Sequence, residues 1–129
     1  MRGPLGAGRL AAAAVLALSL VPVGIGPVEA QRRAFRGEAS YYAKKLDGNA
    51  MACGGRYRPR KMIAAHRTLP CGTRLKVRNR ANGRVVYVTV KDRGPFGASK
   101  RILDLSRRAA RRLHFINQGL TKVRAVVRR

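Results

Sequence analysis

Acidic residues are scarce in this sequence. Only five of its 129 residues are Asp or Glu, against 29 Lys or Arg, and the formal net charge is +24. So large a basic excess indicates an anionic partner, such as nucleic acid, an acidic membrane surface or an acidic polymer of the bacterial cell wall. The length is sufficient for one domain, which excludes a multidomain enzyme.

Tryptophan is absent, and only four Tyr and three Phe are present. The aliphatic content is ordinary, so the chain can fill a small β-rich or mixed core, which argues against a wholly disordered protein. The sequence also lacks a glycine-rich phosphate loop, a serine nucleophile elbow and a helical His-Glu zinc motif. These absences set three enzyme classes aside.

The strongly apolar run near the start is too short to span a bilayer. It covers Leu10–Leu20, about eleven residues, whereas a spanning helix needs about twenty. Two arginines precede it and Val28-Glu29-Ala30 follows it, the arrangement of a secretory signal. We therefore expect residues 1–30 to be a signal peptide cleaved before Gln31. The alternative is an uncleaved membrane anchor.

Export changes which anionic partner is expected. An exported protein rarely meets chromosomal DNA, so we predict no nucleic-acid partner and assign the basic surface to an extracytoplasmic polyanion. We expect a monomer in the periplasm or outside the cell, associated with the wall and without a stable membrane anchor after cleavage.

Only two cysteines are present, Cys53 and Cys71. An even count in an exported chain predicts a disulfide, which would close a loop of about 18 residues and stabilise the fold by roughly 3 kcal/mol in the chain-entropy model. The alternative is a metal site, but third and fourth ligands are missing at suitable spacing: His66 is near in sequence and His114 is far away. We predict no metal and no other cofactor.

Short strands separated by turns are predicted after residue 30. A basic tail over 31–36 precedes one domain over 37–129. The predicted strands are 37–43, 63–65, 74–78, 85–90, 102–105 and 121–127. Asn82-Gly83 supplies a hairpin turn, and Ser106 can cap a helix that runs to about His114. Six short strands and one short helix indicate a mainly β protein, a small closed barrel.

The acids after residue 30 are few enough to consider singly. Glu38 precedes a strand and Asp47 lies in a turn, and neither stands out. Asp92 ends a β-branched strand before a Gly-Pro loop, a junction at which catalytic groups concentrate; the alternative is an Asp held by its basic neighbours. Asp104 could be a site residue or could simply stabilise the start of the following helix through the helix dipole. His66 could be a site residue or a core histidine.

Five motifs, taken in order along the chain, resemble those of the rare lipoprotein A (RlpA-like) family, and the resemblance runs from Gly37 to about Val127. The motifs are Gly37-Glu38-Ala39-Ser40-Tyr41-Tyr42, Ala64-Ala65-His66-Arg67-Thr68-Leu69-Pro70-Cys71-Gly72-Thr73, Asn82-Gly83-Arg84, Lys91-Asp92-Arg93-Gly94-Pro95-Phe96 and Ile102-Leu103-Asp104-Leu105-Ser106. The resemblance implies a six-stranded double-psi β-barrel. It also implies an endolytic lytic transglycosylase that cleaves the peptidoglycan bond between N-acetylmuramic acid and N-acetylglucosamine.

The resemblance also implies roles for individual residues. Asp92 matches the catalytic Asp, for which we predict the role of general acid, and His66 and Asp104 match residues of the same site. One acid can suffice, because the muramoyl 6-hydroxyl closes onto C1 and gives a 1,6-anhydro product, unlike ordinary glycoside hydrolysis. A second acid common in the family is replaced by Gly55. The predicted substrate-binding residues are Tyr41, Tyr42, Arg93 and Phe96.

Two functions from different classes follow. The first is a transglycosylase that acts on glycan strands in wall remodelling or daughter-cell separation, with division-site proteins as candidate recruiters. The second is a non-catalytic, expansin-like protein that binds or loosens the wall and holds peptidoglycan carboxylates with its basic surface. We favour the enzyme, because a single well-placed acid is chemically adequate.

Overall fold

The computed structural model describes residues 33–128, and the predicted signal peptide lies outside this range. The described part contains six strands and one α-helix, with a single 3-10 turn at Lys44–Leu46. In chain order they are β1 Ala34–Tyr41, β2 Ile63–Ala65, β3 Arg74–Asn79, β4 Val85–Asp92, β5 Arg101–Leu105, α1 Arg107–Arg112 and β6 Thr121–Arg128.

Several predicted boundaries differ from the structure by one to three residues, and the largest difference is at the start of β1. β1 begins at Ala34 rather than Gly37, so the last residues of the predicted basic tail belong to a strand. The cause is tertiary, because this segment pairs with β6 and its register begins at Ala34 and Val126. The helix ends at Arg112, earlier than predicted.

The six strands of residues 33–128 close into a barrel in the order β1-β5-β2-β4-β3-β6. The β1–β5 and β2–β4 pairs are parallel and the other four pairs are antiparallel. A closed ring leaves no strand with an unpaired edge. The predicted fold class, a mainly β six-stranded barrel with one short helix, is confirmed. Within the described range, no helix combines the length and apolar character that crossing a bilayer requires.

Alternation along the strands fills the barrel interior, because successive side chains point to opposite faces. The fully or almost fully buried residues of this core are Ala39, Ala64, Leu75, Val77, Val86, Val88, Val90, Leu103, Leu105, Val123 and Ala125. Gly37 allows β1 to approach β5 closely, since a Cβ atom there would lie 2.5 Å from Ile102 Cγ2.

The helix and the turn after it complete this core. The Ser106 side chain accepts a hydrogen bond from the Ala109 backbone N–H and caps α1, as predicted. Leu113 and Phe115 follow the helix and are fully buried with the barrel interior.

A second, smaller cluster lies outside the main core and consists of Tyr42, Tyr57, Ile63 and Ala65. The rings of Tyr42 and Tyr57 are stacked, with their centroids 4.2 Å apart. Tyr57 comes from the long loop between β1 and β2, so this stack attaches the loop to the sheet. The loop is thereby brought against the sheet face that carries Ala65.

Candidate functional site

Two carboxyl groups share one row of the sheet. Ala65 of β2 pairs with Asp92 of β4 on one side and with Asp104 of β5 on the other. Asp104 pairs in turn with Ser40 of β1. Residues paired across neighbouring strands point to the same face, and strands lie about 4.8 Å apart, so the Cα atoms of the two aspartates are separated by about 10 Å.

A bulge brings Asp92 into this row. Ala64 pairs with Val90, but the next residue, Ala65, pairs with Asp92, so Lys91 has no partner of its own in the β2–β4 register. Strict alternation would turn Asp92 to the same side as Val90, which is fully buried in the barrel interior. Bulges commonly redirect a side chain beside a functional site, and here the bulge turns Asp92 outward.

The Asp92 carboxylate accepts hydrogen bonds from three donors. The Tyr42 hydroxyl donates to Oδ2 at 2.5 Å, and the backbone N–H groups of Ala52 and Arg93 donate to Oδ1 at 2.8 and 2.9 Å. Donors on both oxygens fix the orientation of the carboxylate. Burial, followed by the hydrogen bond to Asp92, raises the pKa of Tyr42 well above its usual range, so its hydroxyl remains a donor.

The environment of Asp104 differs from that of Asp92. The Ser40 hydroxyl donates to Asp104 Oδ1 at 2.8 Å. Burial raises the pKa of Asp104, and the negative charge of Asp92 acts in the same direction; Ser40 and the Arg101 guanidinium oppose them, and the pKa remains above its ordinary value. Asp104 therefore retains a proton more readily than an exposed carboxyl group does.

His66 is joined to Asp92 through the backbone, where the His66 N–H donates to the Asp92 carbonyl at 3.1 Å. Its ring Nδ1 accepts hydrogen bonds from the N–H groups of Thr68 and Leu69, both at 3.0 Å. The ring also meets Phe35 edge-on, with the centroids 5.3 Å apart. Because Nδ1 is an acceptor, the ring proton of a neutral His66 is on Nε2.

The Arg93 side chain turns away from Asp92. Its guanidinium donates to the carbonyls of His66 and Leu69 at 3.2 and 2.8 Å and contacts Cys71 Sγ at 3.7 Å. Lys91 is exposed. Within the described residues, neither cation forms an ion pair with Asp92.

The aromatic candidates are dispersed. Tyr42 contacts Asp92, whereas the Tyr41 hydroxyl donates to the Ile116 carbonyl at 2.7 Å and its ring meets Phe115 edge-on. Phe96 is 73% exposed in the loop after Asp92. Of the three, only Tyr42 touches the carboxylate row.

Cys53 and Cys71 form the predicted disulfide, with their Cα atoms 5.8 Å apart. The Cys53 N–H also donates to the Lys91 carbonyl at 3.1 Å. These two links hold the long loop against the end of β4. The N–H of the preceding residue, Ala52, is thereby held where it donates to Asp92.

Arg67 was not singled out from the sequence, although it lies in one of the quoted motifs. Its Nε donates to the Pro95 carbonyl at 2.7 Å, and its Nη2 donates to the carbonyls of Ala98 and Arg101 at 2.7 and 2.8 Å. One guanidinium thus organises the loop that follows Asp92. The contacts of Ser40 and Ala52 with the two aspartates were not predicted either, because both depend on pairing between distant strands and loops.

In residues 33–128, no group of three or more His, Cys, Asp or Glu side chains is arranged to hold a metal ion. The chemistry that the row can support is proton transfer, because its two carboxyl groups differ in environment and share one face.

Comparison with known proteins links this site to a family. Residues 34–125 match the family model described as lytic transglycolase. The chain is 47% identical over 98 residues to the probable endolytic peptidoglycan transglycosylase RlpA of Nostoc and 43% identical over 96 residues to the endolytic peptidoglycan transglycosylase RlpA of Haemophilus influenzae. Each match covers 74% of this chain but only 26% and 33% of those relatives.

Solved structures show the same barrel. The apo expansin of Clavibacter michiganensis superposes with a TM-score of 0.59 at 29% identity, over 75% of this chain and 51% of the expansin. The Streptomyces papain inhibitor superposes with a TM-score of 0.61 at 24% identity, over 75% of this chain and 96% of the inhibitor, a likeness of fold alone. The family match, which spans most of the chain, and the relatives above 40% identity show that the chain belongs to the lytic transglycolase family of double-psi β-barrel domains.

Proposed function

We propose that this domain is an endolytic peptidoglycan lytic transglycosylase, which cleaves the bond between N-acetylmuramic acid and N-acetylglucosamine and leaves 1,6-anhydro-muramoyl ends. The observation that carries the proposal is the row formed by Asp92, Ala65 and Asp104. Its two carboxyl groups lie on one face in contrasting environments. In active sites, a difference in environment between two carboxyl groups determines which one donates a proton.

In this proposal Asp104 is the proton donor, whereas our hypothesis from sequence gave that role to Asp92. The reason is that burial raises the pKa of Asp104 and favours a held proton, while both Asp92 oxygens are already occupied by hydrogen-bond donors. Asp104 protonates the glycosidic oxygen as the C1–O bond breaks. The 6-hydroxyl of the muramoyl residue then attacks C1 and returns its proton to Asp104, so no water is consumed.

Asp92 supports the reaction by its charge. The transition state of glycosidic bond cleavage is oxocarbenium-like, and a fixed carboxylate nearby stabilises that positive charge. Tyr42 and the Ala52 N–H keep the Asp92 carboxylate oriented. Exposed Phe96 in the following loop is available to stack on a sugar ring. His66 and Arg93 shape the turn beside the row.

The proposal also covers the cellular location of the protein and its binding partners. The disulfide and the peptidoglycan-directed relatives support an extracytoplasmic protein. The protein would act as a monomer on glycan strands during wall remodelling or daughter-cell separation, with division-site proteins as its recruiters.

A second candidate function is non-catalytic wall binding or loosening. The structural likeness to the Clavibacter expansin favours it. Mass spectrometry of isolated sacculi after incubation with the mature protein separates the two functions. New 1,6-anhydro-muramoyl ends, absent with Asp104→Asn, support the enzyme. Sacculi that are bound but gain no anhydro ends on any glycan tested replace it with the binding protein.

A further inference from the structure

The outer surface of β3 and β6 carries a dense array of cations. Arg74 pairs directly with Arg128, and Arg78 pairs directly with Arg124. Beyond the end of β3, the Arg80 N–H donates to the Lys122 carbonyl. We refer to this surface as the cationic face. Its members are Arg74, Lys76, Arg78, Arg80, Lys122, Arg124 and Arg128.

Little negative charge balances the cationic face. The only acidic residue in register with it is Glu38 of β1, which pairs with Lys122. Arg36 lies two residues before Glu38 in β1 and adds a further cation, which pairs with Arg124. Within the described residues the only ion pair, Arg58 with Asp47, belongs to the long loop before β2.

This concentration of like charge lowers the stability of the folded domain when no partner is bound. Like charges placed directly opposite each other destabilise a sheet, and soluble surfaces usually intersperse both signs. Neutral polar side chains at the same positions would keep the alternation that β3 and β6 need. The cationic face therefore points to an anionic partner rather than to a requirement of folding.

The cationic face is separate from the carboxylate row. In the closed order β1-β5-β2-β4-β3-β6, strands β3 and β6 lie across the barrel from β5 and β2. Asp104 is on β5 and Ala65 is on β2, whereas Asp92 ends β4, three residues beyond Thr89, the last β4 residue that pairs with β3. An anionic polymer on the cationic face therefore leaves the Asp92–Asp104 row accessible.

An aromatic residue borders the cationic face. Tyr87 of β4 is 55% exposed, and the Arg128 guanidinium lies 4.9 Å from the centre of its ring. Together with Arg74 and Thr89, these residues line a hollow of about 340 Å³. A ring beside two guanidinium groups suits a ligand that combines carboxylates with apolar carbon.

We propose that the cationic face docks the domain onto peptidoglycan by binding carboxylates of the stem peptides. This inference rests on the proposed function, because it takes peptidoglycan as the substrate. The glycan backbone of intact peptidoglycan is uncharged, so its peptides supply the anionic groups. Arginine binds carboxylates in a bidentate manner, and same-face residues along a strand are about 7 Å apart, so one peptide can meet several cations.

The test measures binding of the mature protein to isolated sacculi by co-sedimentation at physiological ionic strength. The triple variant Arg74→Gln, Lys76→Gln, Arg124→Gln removes three charges whose side chains form no hydrogen bond or ion pair within residues 33–128. We expect its Kd to rise by about tenfold or more. The matched variant Arg60→Gln, Arg111→Gln, Arg112→Gln removes the same charge elsewhere and should change Kd by less than about threefold.

Sacculi whose carboxylates have been converted to amides with carbodiimide and ammonia supply the ligand control. Wild-type binding should weaken by about tenfold or more on these sacculi, and the difference between the two triple variants should disappear. Equal loss in both triple variants would overturn the location of the docking surface. Wild-type binding that is unchanged after amidation would overturn the carboxylate ligand.

Activity on peptide-free glycan strands, with the lactyl carboxylates that peptide removal exposes converted to amides, distinguishes this inference from the proposed function. There the Arg74, Lys76 and Arg124 triple variant should form anhydro ends at the wild-type rate, while it is slowed on sacculi. Equal slowing on both substrates would overturn peptide docking. If the wild-type protein forms no anhydro ends on either substrate, the proposed function fails, while the sacculus binding data still decide the inference.

Discussion

Asp92 and Asp104 pair with the same residue, Ala65, from opposite sides of β2. Ala65, between them, is buried in the cluster with Tyr42 and Tyr57, and the two carboxyl groups lie on either side of it. Their surroundings differ, since Asp92 accepts three hydrogen bonds and Asp104 is largely enclosed with a single donor, Ser40.

Replacing the proposed proton donor should stop the reaction. Asp104→Asn keeps the shape of the side chain and can still accept the Ser40 hydrogen bond, but it has no proton to give. We expect formation of anhydro ends to fall by about 100-fold or more, the contribution typical of a general acid. Quantitative mass spectrometry of digested glycan measures it. Full activity in Asp104→Asn, with loss in Asp92→Asn, would return the acid role to Asp92.

The raised pKa of Asp104 predicts a pH dependence of stability. The folded protein keeps this proton where the unfolded chain has lost it, so the free energy of unfolding decreases as pH rises from about 3.9, the ordinary carboxyl pKa, through the raised value. Asp104→Asn lacks this titration, and its stability relative to wild type should increase across that interval. Urea denaturation at a series of pH values measures the difference, with exposed Asp47→Asn as the control. A relative stability that decreases with rising pH would contradict the assignment.

Tyr42 should support catalysis through its hydroxyl group. Tyr42→Phe retains the ring that stacks on Tyr57 but removes the donor to Asp92. A hydrogen bond to a charged group contributes about 1.5–3 kcal/mol, so we expect both lower stability and about tenfold slower formation of anhydro ends. Tyr41→Phe is the matched control, since it loses only a bond to the Ile116 carbonyl. Equal rate losses in the two variants would show that Tyr42 has no special role.

The disulfide should stabilise both the fold and the loop beside Asp92. Replacing Cys53 and Cys71 together with Ala releases a loop with a sequence separation of 18 residues. The chain-entropy model gives a cost of about 3 kcal/mol, which corresponds to a decrease in Tm of about 12–24 °C for a domain of this size. Differential scanning calorimetry measures it. Thiol labelling of the mature, non-reduced protein should be negative, and quantitative labelling of both cysteines would contradict the bond.

Features that depend on neighbouring residues were predicted from the sequence. The hairpin around Asn82-Gly83, the cap at Ser106 and the apolar strands all depend on residues near one another in the sequence, and the structure contains each of them. The start of β1 at Ala34 was missed, because a basic segment with little alternation becomes a strand only by pairing with β6.

The sequence predicted the candidate site only in part. The motifs identified Asp92 and Asp104 as candidates. The raised pKa of Asp104 depends on burial, and the orientation of Asp92 depends on donors such as the Ala52 N–H, and both come from other parts of the chain. Ser40 carried no signal of its own, since an isolated serine in a strand is common. Its role appears only when β1 pairs with β5.

The sequence by itself determined the composition of the molecule, the alternation that closes a small barrel, the cysteine pair and the shortage of acids that limited the search for a catalytic group. The tertiary structure alone decided three relationships: the bulge at Lys91 that turns Asp92 outward, the shared row with Asp104, and the pairing of β3 with β6 that gathers the cationic face. The physical reason is that side-chain periodicity is a local property of the chain. Register, burial and the meeting of like or unlike charges exist only between segments that folding brings together.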